Sequence, residues 1–192
     1  WSIPEDDKKS TKIAEILPRL TKEAATLPVS ENDITAIDWL NGRRTPFADQ
    51  TLKGGVIGLT LGTTPAQLYK SFVESTAFGS RAILEHLEKQ GVKITKVIGV
   101  GGISLKSPYV MQTLSDFMNV PIEVAATQQA GALGSAMYAA VAAKIFETIE
   151  SVQQTLGQGI LAQYQPNKEK NLLYNKLYNK YIKFGHFLEL KS

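Results

Sequence analysis

Cysteine is missing altogether from this chain of 192 residues. That excludes a disulfide framework, a thiolate metal site and a cysteine nucleophile, and it fits a reducing cytoplasm. Histidine is scarce. His86 and His186 stand far apart in sequence, so no histidine-based metal site is expected. No apolar run reaches membrane-spanning length. The longest, residues 130–145, is alanine-rich and interrupted by Gly131, Gly134 and Lys144. A strong charge of one sign is also lacking. The net charge is +3 and the pI about 9.0, from scattered lysines, which does not argue for nucleic acid as a partner. No signal peptide is legible, because Glu5, Asp6, Asp7, Lys8 and Lys9 occupy the place of its apolar core. With Trp1 first, the chain reads as part of a longer polypeptide.

What is present is the balance of a globular protein, 43% hydrophobic and 20% charged. That is enough for a single domain over residues 1–192 with a sizeable core. The pattern predicts the core over about 54–145 and a wholly helical tail over about 147–190, with helices at 149–158 and 166–188.

Residues 7–27 read as a helix with Ile13, Ile16, Leu17 and Leu20 on one face, broken or kinked at Pro18. Residues 28–53 read as loop and 54–61 as a strand. Thr64, Pro65 and Gln67 form a capping-box pattern, and Gly91 supplies a left-handed stop, which predicts one long helix between them. Residues 94–100 then read as a buried strand, Ser107-Pro108 opens a helix, 122–126 is a second strand, and a third helix runs from about 130 to 143. Strand–helix–strand–helix with short links predicts a parallel pair in an α/β layer.

Two segments carry chemistry. The first is Gly99-Val100-Gly101-Gly102-Ile103-Ser104-Leu105-Lys106-Ser107, with Gln112 one turn into the following helix. A strand that runs into two glycines leaves a gap without side chains. It lies at the carboxyl end of a parallel strand, where α/β sheets bind ligands. The turn by itself fits equally a tight connection that merely needs glycine. It is neither a dinucleotide fingerprint, since Ser104 stands where a third glycine belongs, nor a Walker A loop, since Leu105 precedes Lys106-Ser107. The second segment is Thr127-Gln128-Gln129-Ala130-Gly131-Ala132-Leu133-Gly134-Ser135-Ala136. Its small residues permit close approach by a helix, a sheet or a nucleotide. Taken together, two consecutive strand–turn–helix units place small residues at neighbouring turns, as if to line one cleft.

This pair of segments resembles the C-terminal signature of the FGGY carbohydrate kinases. Within that family, Asp38-Trp39-Leu40-Asn41-Gly42-Arg43-Arg44-Thr45-Pro46 and Glu74-Ser75-Thr76-Ala77-Phe78-Gly79 are most similar to the L-ribulokinase branch. The resemblance covers roughly residues 30–185. It implies the C-terminal half of an actin/Hsp70/hexokinase-like (ribonuclease H-like) α/β fold, with extra C-terminal helices. It implies ATP with Mg²⁺, the ion held mainly by the absent part, and a sugar bound through a missing N-terminal domain. The implied nucleotide residues are Gly101, Gly102, Ser104, Lys106, Gln112, Gln129 and Gly134. Lys106 stands where relatives often carry asparagine. No catalytic base and no metal ligand are expected here: Asp33, Asp38 and Asp49 lie in or beside a loop without a glycine-threonine turn, and Asp116 lies on a helix. The expected reaction, ATP plus L-ribulose giving L-ribulose 5-phosphate and ADP in arabinose catabolism, therefore belongs to a longer polypeptide, and the chain alone is expected to be inactive. A non-catalytic scaffold or dimerisation module, a homodimer, and a kinase for xylulose, glycerol or a related polyol stay open.

Arg43-Arg44 beside Trp39 reads either as a phosphate clamp or as a brace for its loop. The tail aromatics Tyr174, Tyr178, Tyr181 and Phe184 share one helical face with Leu177, which predicts core packing rather than nucleic-acid stacking. His86 and His186 are expected as ordinary surface or boundary residues.

Overall fold

The computed structural model describes residues 7–191, with side chains from residue 15 onward. The expectations placed on Trp1, Glu5 and Asp6 lie outside the described residues, and those on Asp7, Lys8, Lys9 and Ile13 concern side chains outside the described ones. The order is α1 (Asp7–Thr26), β1 (Thr35–Ile37), β2 (Gly55–Ile57), α2 (Pro65–Lys89), β3 (Val97–Gly99), α3 (Gly102–Lys106), α4 (Pro108–Met118), β4 (Ile122–Ala125), α5 (Ala130–Ala142), α6 (Ile149–Leu156), β5 (Ile160–Tyr164) and α7 (Lys168–Glu189).

Local chemistry explains most of these boundaries. The Thr64 side chain accepts from the Gln67 backbone N–H while Gln67 reaches back to Thr64, and Pro65 fits the first turn of α2, where its missing N–H costs nothing. Gly91 ends that helix at φ +87°. Ser107 caps α4 through Val110 N–H, and Asn119 closes it in the left-handed region. Asn167 caps α7 by accepting from Glu169 and Lys170.

The strands form two sheets. β1 and β2 pair antiparallel, with Ala36 opposite Val56. In the other sheet β3 runs parallel to β4, Ile98 opposite Glu123, and β5 returns antiparallel on the far side of β4. The parallel pair is the one the alternating pattern predicts.

The structure corrects several expectations. Helix α1 runs unbroken through Pro18; the proline is exposed, so water can take up the carbonyl it leaves unbonded. Ile16 and Leu17 stay exposed, and among the described side chains of α1 Ala24 is the buried one. Residues 28–53 are not all loop, because Thr35–Ile37 forms a buried strand. The tail is not wholly helical: Ile160–Tyr164 has little β-branching, yet it forms a strand because β4 offers a free edge.

The core is not confined to residues 54–145. Its main cluster joins Ile37, Trp39 and Leu52 to Phe78, Phe117 and the α7 side chains Tyr174, Leu177, Tyr178, Tyr181 and Phe184. The tail aromatics thus pack as their shared face predicts. Phe117 stacks on Tyr174 with centroids 3.6 Å apart and meets Phe78 edge-on at 4.4 Å. A second cluster of Met111, Met118, Ile122 and Val124 lies between α4 and the larger sheet. Helix α5 is different. It is apolar on nearly all sides, yet only Met137 is buried, the opposite of what an all-round apolar helix ordinarily does.

Candidate functional site

The parallel pairing of β3 with β4 brings their carboxyl ends side by side, Gly99 opposite Val124. The Gly101-Gly102 turn leaves one strand and the Thr127–Gly134 segment leaves the other. Gly101 has φ +90° and ψ −177°, a conformation open essentially to glycine alone. It lets the chain reverse into α3, a short helix absent from the pattern reading because five residues are too few to show periodicity. A β-carbon added at Gly101, Gly102, Gly131 or Gly134 would meet no atom within 4 Å. These corners therefore face open space and are not plugged by the chain's own side chains. Gly99 differs: a β-carbon there would lie 2.8 Å from Met111 Cε, so this glycine serves packing.

The remaining candidate residues divide by what they touch. Ser104 is buried, and its hydroxyl donates to the Gly101 carbonyl at 2.7 Å, fastening the turn. Lys106 and Gln129 are exposed beside the two corners. The Gln129 backbone N–H is held by the Thr127 hydroxyl at 3.3 Å, while its side chain makes no cap for α5. Gln112 is not gathered with them. Its amide donates to Asp116 at 2.7 Å and to the Gln165 carbonyl at 2.8 Å, in the turn between β5 and α7. Ile98, Val100 and Ile103, around the first corner, are each more than half exposed, an apolar floor beside the glycines.

Asp116 is almost wholly buried, accepting from Gln112 and from the Asn167 backbone N–H. No group of three metal-ligating side chains occurs among the described residues, and none of their helices is long and apolar enough to cross a membrane.

One charged cluster escaped the sequence reading. Lys70 and Glu74 lie one turn apart on the buried face of α2, and both are nearly inaccessible. Lys70 Nζ is 2.5 Å from Asp33 Oδ2 and 2.7 Å from Glu74 Oε1. Burial pushes the Glu74 carboxyl well above the usual range, against the pull of Lys70. Burial acts downward on the Lys70 amine, but Glu74 and Asp33 outweigh it and hold the amine protonated. The available signal was a Lys–Glu pair at helical spacing between Ala66, Val73 and Ala77, where a solvent-facing pair has no reason to be. A small polar cavity of about 230 Å³ opens beside it, bounded by Thr60, Thr63 and Gln67.

Arg43 and Arg44 do different things. Arg43 sits 4.9 Å from the Trp39 ring centre, donates from Nε to the Phe47 carbonyl at 2.5 Å and pairs with Glu189 of α7. It is a brace, and its hydrogen bond holds the Glu189 carboxyl below the usual range. Arg44 is exposed. His86 is a half-buried boundary residue, edge-on to Phe47 at 5.2 Å, and His186 is exposed at 2.9 Å from Glu189.

Comparison with known proteins agrees with this geometry. Residues 3–143 match the model of the FGGY family of carbohydrate kinases, C-terminal domain. The chain is 39% identical over 176 residues to a ribulokinase of Vibrio parahaemolyticus, covering 92% of this chain and 31% of that protein. It is 37% identical over 166 residues to a ribulokinase of Bacillus licheniformis, covering 84% and 30%. It thus spans about a third of the length of these relatives. Among solved structures, a ligand-bound xylulose kinase from Lactobacillus acidophilus superimposes with a TM-score of 0.79 at 25% identity, over 90% of this chain and 35% of that one. A Plasmodium falciparum glycerol kinase with ADP shares the fold, with a TM-score of 0.70 at 22% identity over 86% of this chain and 33% of that one. Two glycine corners at the ends of parallel strands, the matched domain and these relatives converge: the chain belongs to the FGGY family of carbohydrate kinases.

Proposed function

We propose that this chain is the nucleotide-binding part of a kinase that transfers the γ-phosphoryl group of ATP to a ketopentose, with L-ribulose the preferred acceptor. The observation that carries this reading is the open space in front of Gly101-Gly102 and Gly131–Gly134, delivered by two adjacent parallel strands. A side-chain-free corner lets adenosine approach the backbone closely. The exposed Ile98, Val100 and Ile103 offer it an apolar surface. Lys106 and Gln129, both exposed, are its polar contacts on this reading. Ser104 fixes the turn from behind, and Gln112 serves by tying α4 to the β5–α7 turn.

In the reaction the acceptor hydroxyl oxygen forms a bond to the γ-phosphorus while the bond to the bridging oxygen of ADP breaks. The hydroxyl proton passes to a base supplied from outside this chain. Mg²⁺, held mainly by that other part, neutralises phosphate charge when bound. This chain's own share is to bind and orient the nucleotide. Alone it binds weakly and does not turn over. The names of the ribulokinase relatives favour ribulose as acceptor over the xylulose or glycerol of the structural neighbours; on this reading the reaction belongs to arabinose catabolism in the cytoplasm.

The test is calorimetric titration of the chain with ADP. Weak saturable binding is expected, lost on Gly102→Val without loss of fold. Binding that survives this change would mean that adenosine does not sit at the glycine corner.

A further inference from the structure

A second cavity, of about 760 Å³, lies between the back half of α2, the second half of α7 and the loop of residues 38–47. Its size is that of small-molecule sites. It is separate from the glycine corners, because α2 runs down to the amino end of β3 while Gly101-Gly102 follows the carboxyl end.

The walls are tied together by side-chain contacts. Trp39 is buried, with Arg43 over its ring and tied to Glu189. Arg81 lies 4.3 Å from the Tyr178 ring centre and is held by Glu85 at 2.8 Å. Those cations are committed to structure. Two others lining or rimming the cavity are not: Arg44 and Lys89 are exposed and make no ion pair among the described residues. The Phe47–His86 contact at 5.2 Å draws the Arg44 loop against the end of α2, where Lys89 follows His86 by one turn. Asp38 is the acid in the lining without an ion pair among the described residues, and it faces Tyr181. Cationic donors flanking an aromatic wall suit a phosphate carried on a compact organic body.

We propose that this cavity is a binding site for a small organic phosphate, its phosphoryl group between Arg44 and Lys89 and its body against the Phe47–Trp39 side. The inference does not depend on where the nucleotide binds.

Trp1 and Trp39 are the two tryptophans of the chain, so in a Trp1→Phe background indole emission reports the cavity wall. Ribose 5-phosphate is the probe, with ribose and inorganic phosphate as controls. A saturable change with ribose 5-phosphate is expected. Its Kd should rise by about tenfold or more in the Arg44→Ala/Lys89→Ala double variant and stay unchanged in Gly102→Val. Both replaced side chains are exposed, and a thermal melt confirms that the variant is folded. The proposal is overturned by no saturable change, by ribose or inorganic phosphate acting equally well, or by a Kd indifferent to the double substitution. A response abolished by Gly102→Val would place the ligand at the glycine corner and overturn it as well.

Discussion

Gln112 donates its side-chain amide to Asp116, one turn further along α4, at 2.7 Å, and the same nitrogen reaches the Gln165 carbonyl at 2.8 Å. Asp116 in turn accepts from the backbone N–H of Asn167, the residue that caps α7. The pair therefore joins a helix of the α/β layer to the start of the terminal helix.

Removing either member is expected to act on stability. Gln112→Ala should cost about 1 kcal/mol, the worth of one part-buried and one exposed hydrogen bond. Asp116→Ala should cost more, about 2–4 kcal/mol, because it removes a buried side chain and takes the acceptor from donors on two elements. Urea denaturation measures both. Equal and negligible effects would show that the link is decorative.

Glu74 makes stability depend on pH. Its carboxyl is raised from 4.5 to about 7 by burial, against Lys70, with Asp33 adding to the rise. A carboxyl whose pKa is higher in the folded state favours folding when protonated. Its contribution is complete below 4.5 and is lost as pH rises towards 7. Compared with Glu74→Gln, the natural chain should lose on the order of 1–3 kcal/mol across that window. Melting curves of the two proteins at stepped pH test this; parallel profiles would refute it.

The adjacent glycines Gly101 and Gly102 should separate strain from function. Gly101→Ala forces a side chain into φ +90°, at a cost of about 1–3 kcal/mol. Gly102→Ala meets open space and should leave stability within about 0.5 kcal/mol while weakening ADP binding. Paired melts and titrations distinguish the two roles.

Phe117 is fully buried between Phe78 and Tyr174. Phe117→Ala should cost about 3–5 kcal/mol, while Tyr138→Ala, on the bare face of α5, should be nearly neutral. Denaturation midpoints check the contrast.

The legible parts of this fold are those written in short-range chemistry. Thr64, Pro65, Gln67 and Gly91 announce both ends of α2, and the structure realises each of those caps. The parallel pair follows from strand and helix alternating at short spacing. The illegible parts depend on partners distant in sequence. β5 is a strand because β4 lies beside it. The Lys70–Glu74 pair is buried because α1, β1 and α4 pack against α2, and no local pattern states that three neighbours will meet there. The cavity under Trp39 needs α7, which arrives more than a hundred residues later. Of the candidate site residues, the glycines were readable as a gap, whereas Ser104, expected beside the nucleotide, turns its hydroxyl to the Gly101 carbonyl. Gln112 shares their motif, yet its side chain is taken up by Asp116, an engagement no spacing rule displays.

The main core closes through contacts between opposite ends of the chain: the Gly185 backbone lies against the Trp39 ring, and Arg43 meets Glu189 across 146 positions. Such a seam joins residues far apart in sequence, so it cannot close until the last helix has been made. During synthesis, Phe78 and Phe117 are made well before the α7 side chains that cover them. A chain cut or stalled ahead of Lys168 would leave that surface bare, a recipe for chaperone capture or aggregation rather than for a smaller stable domain.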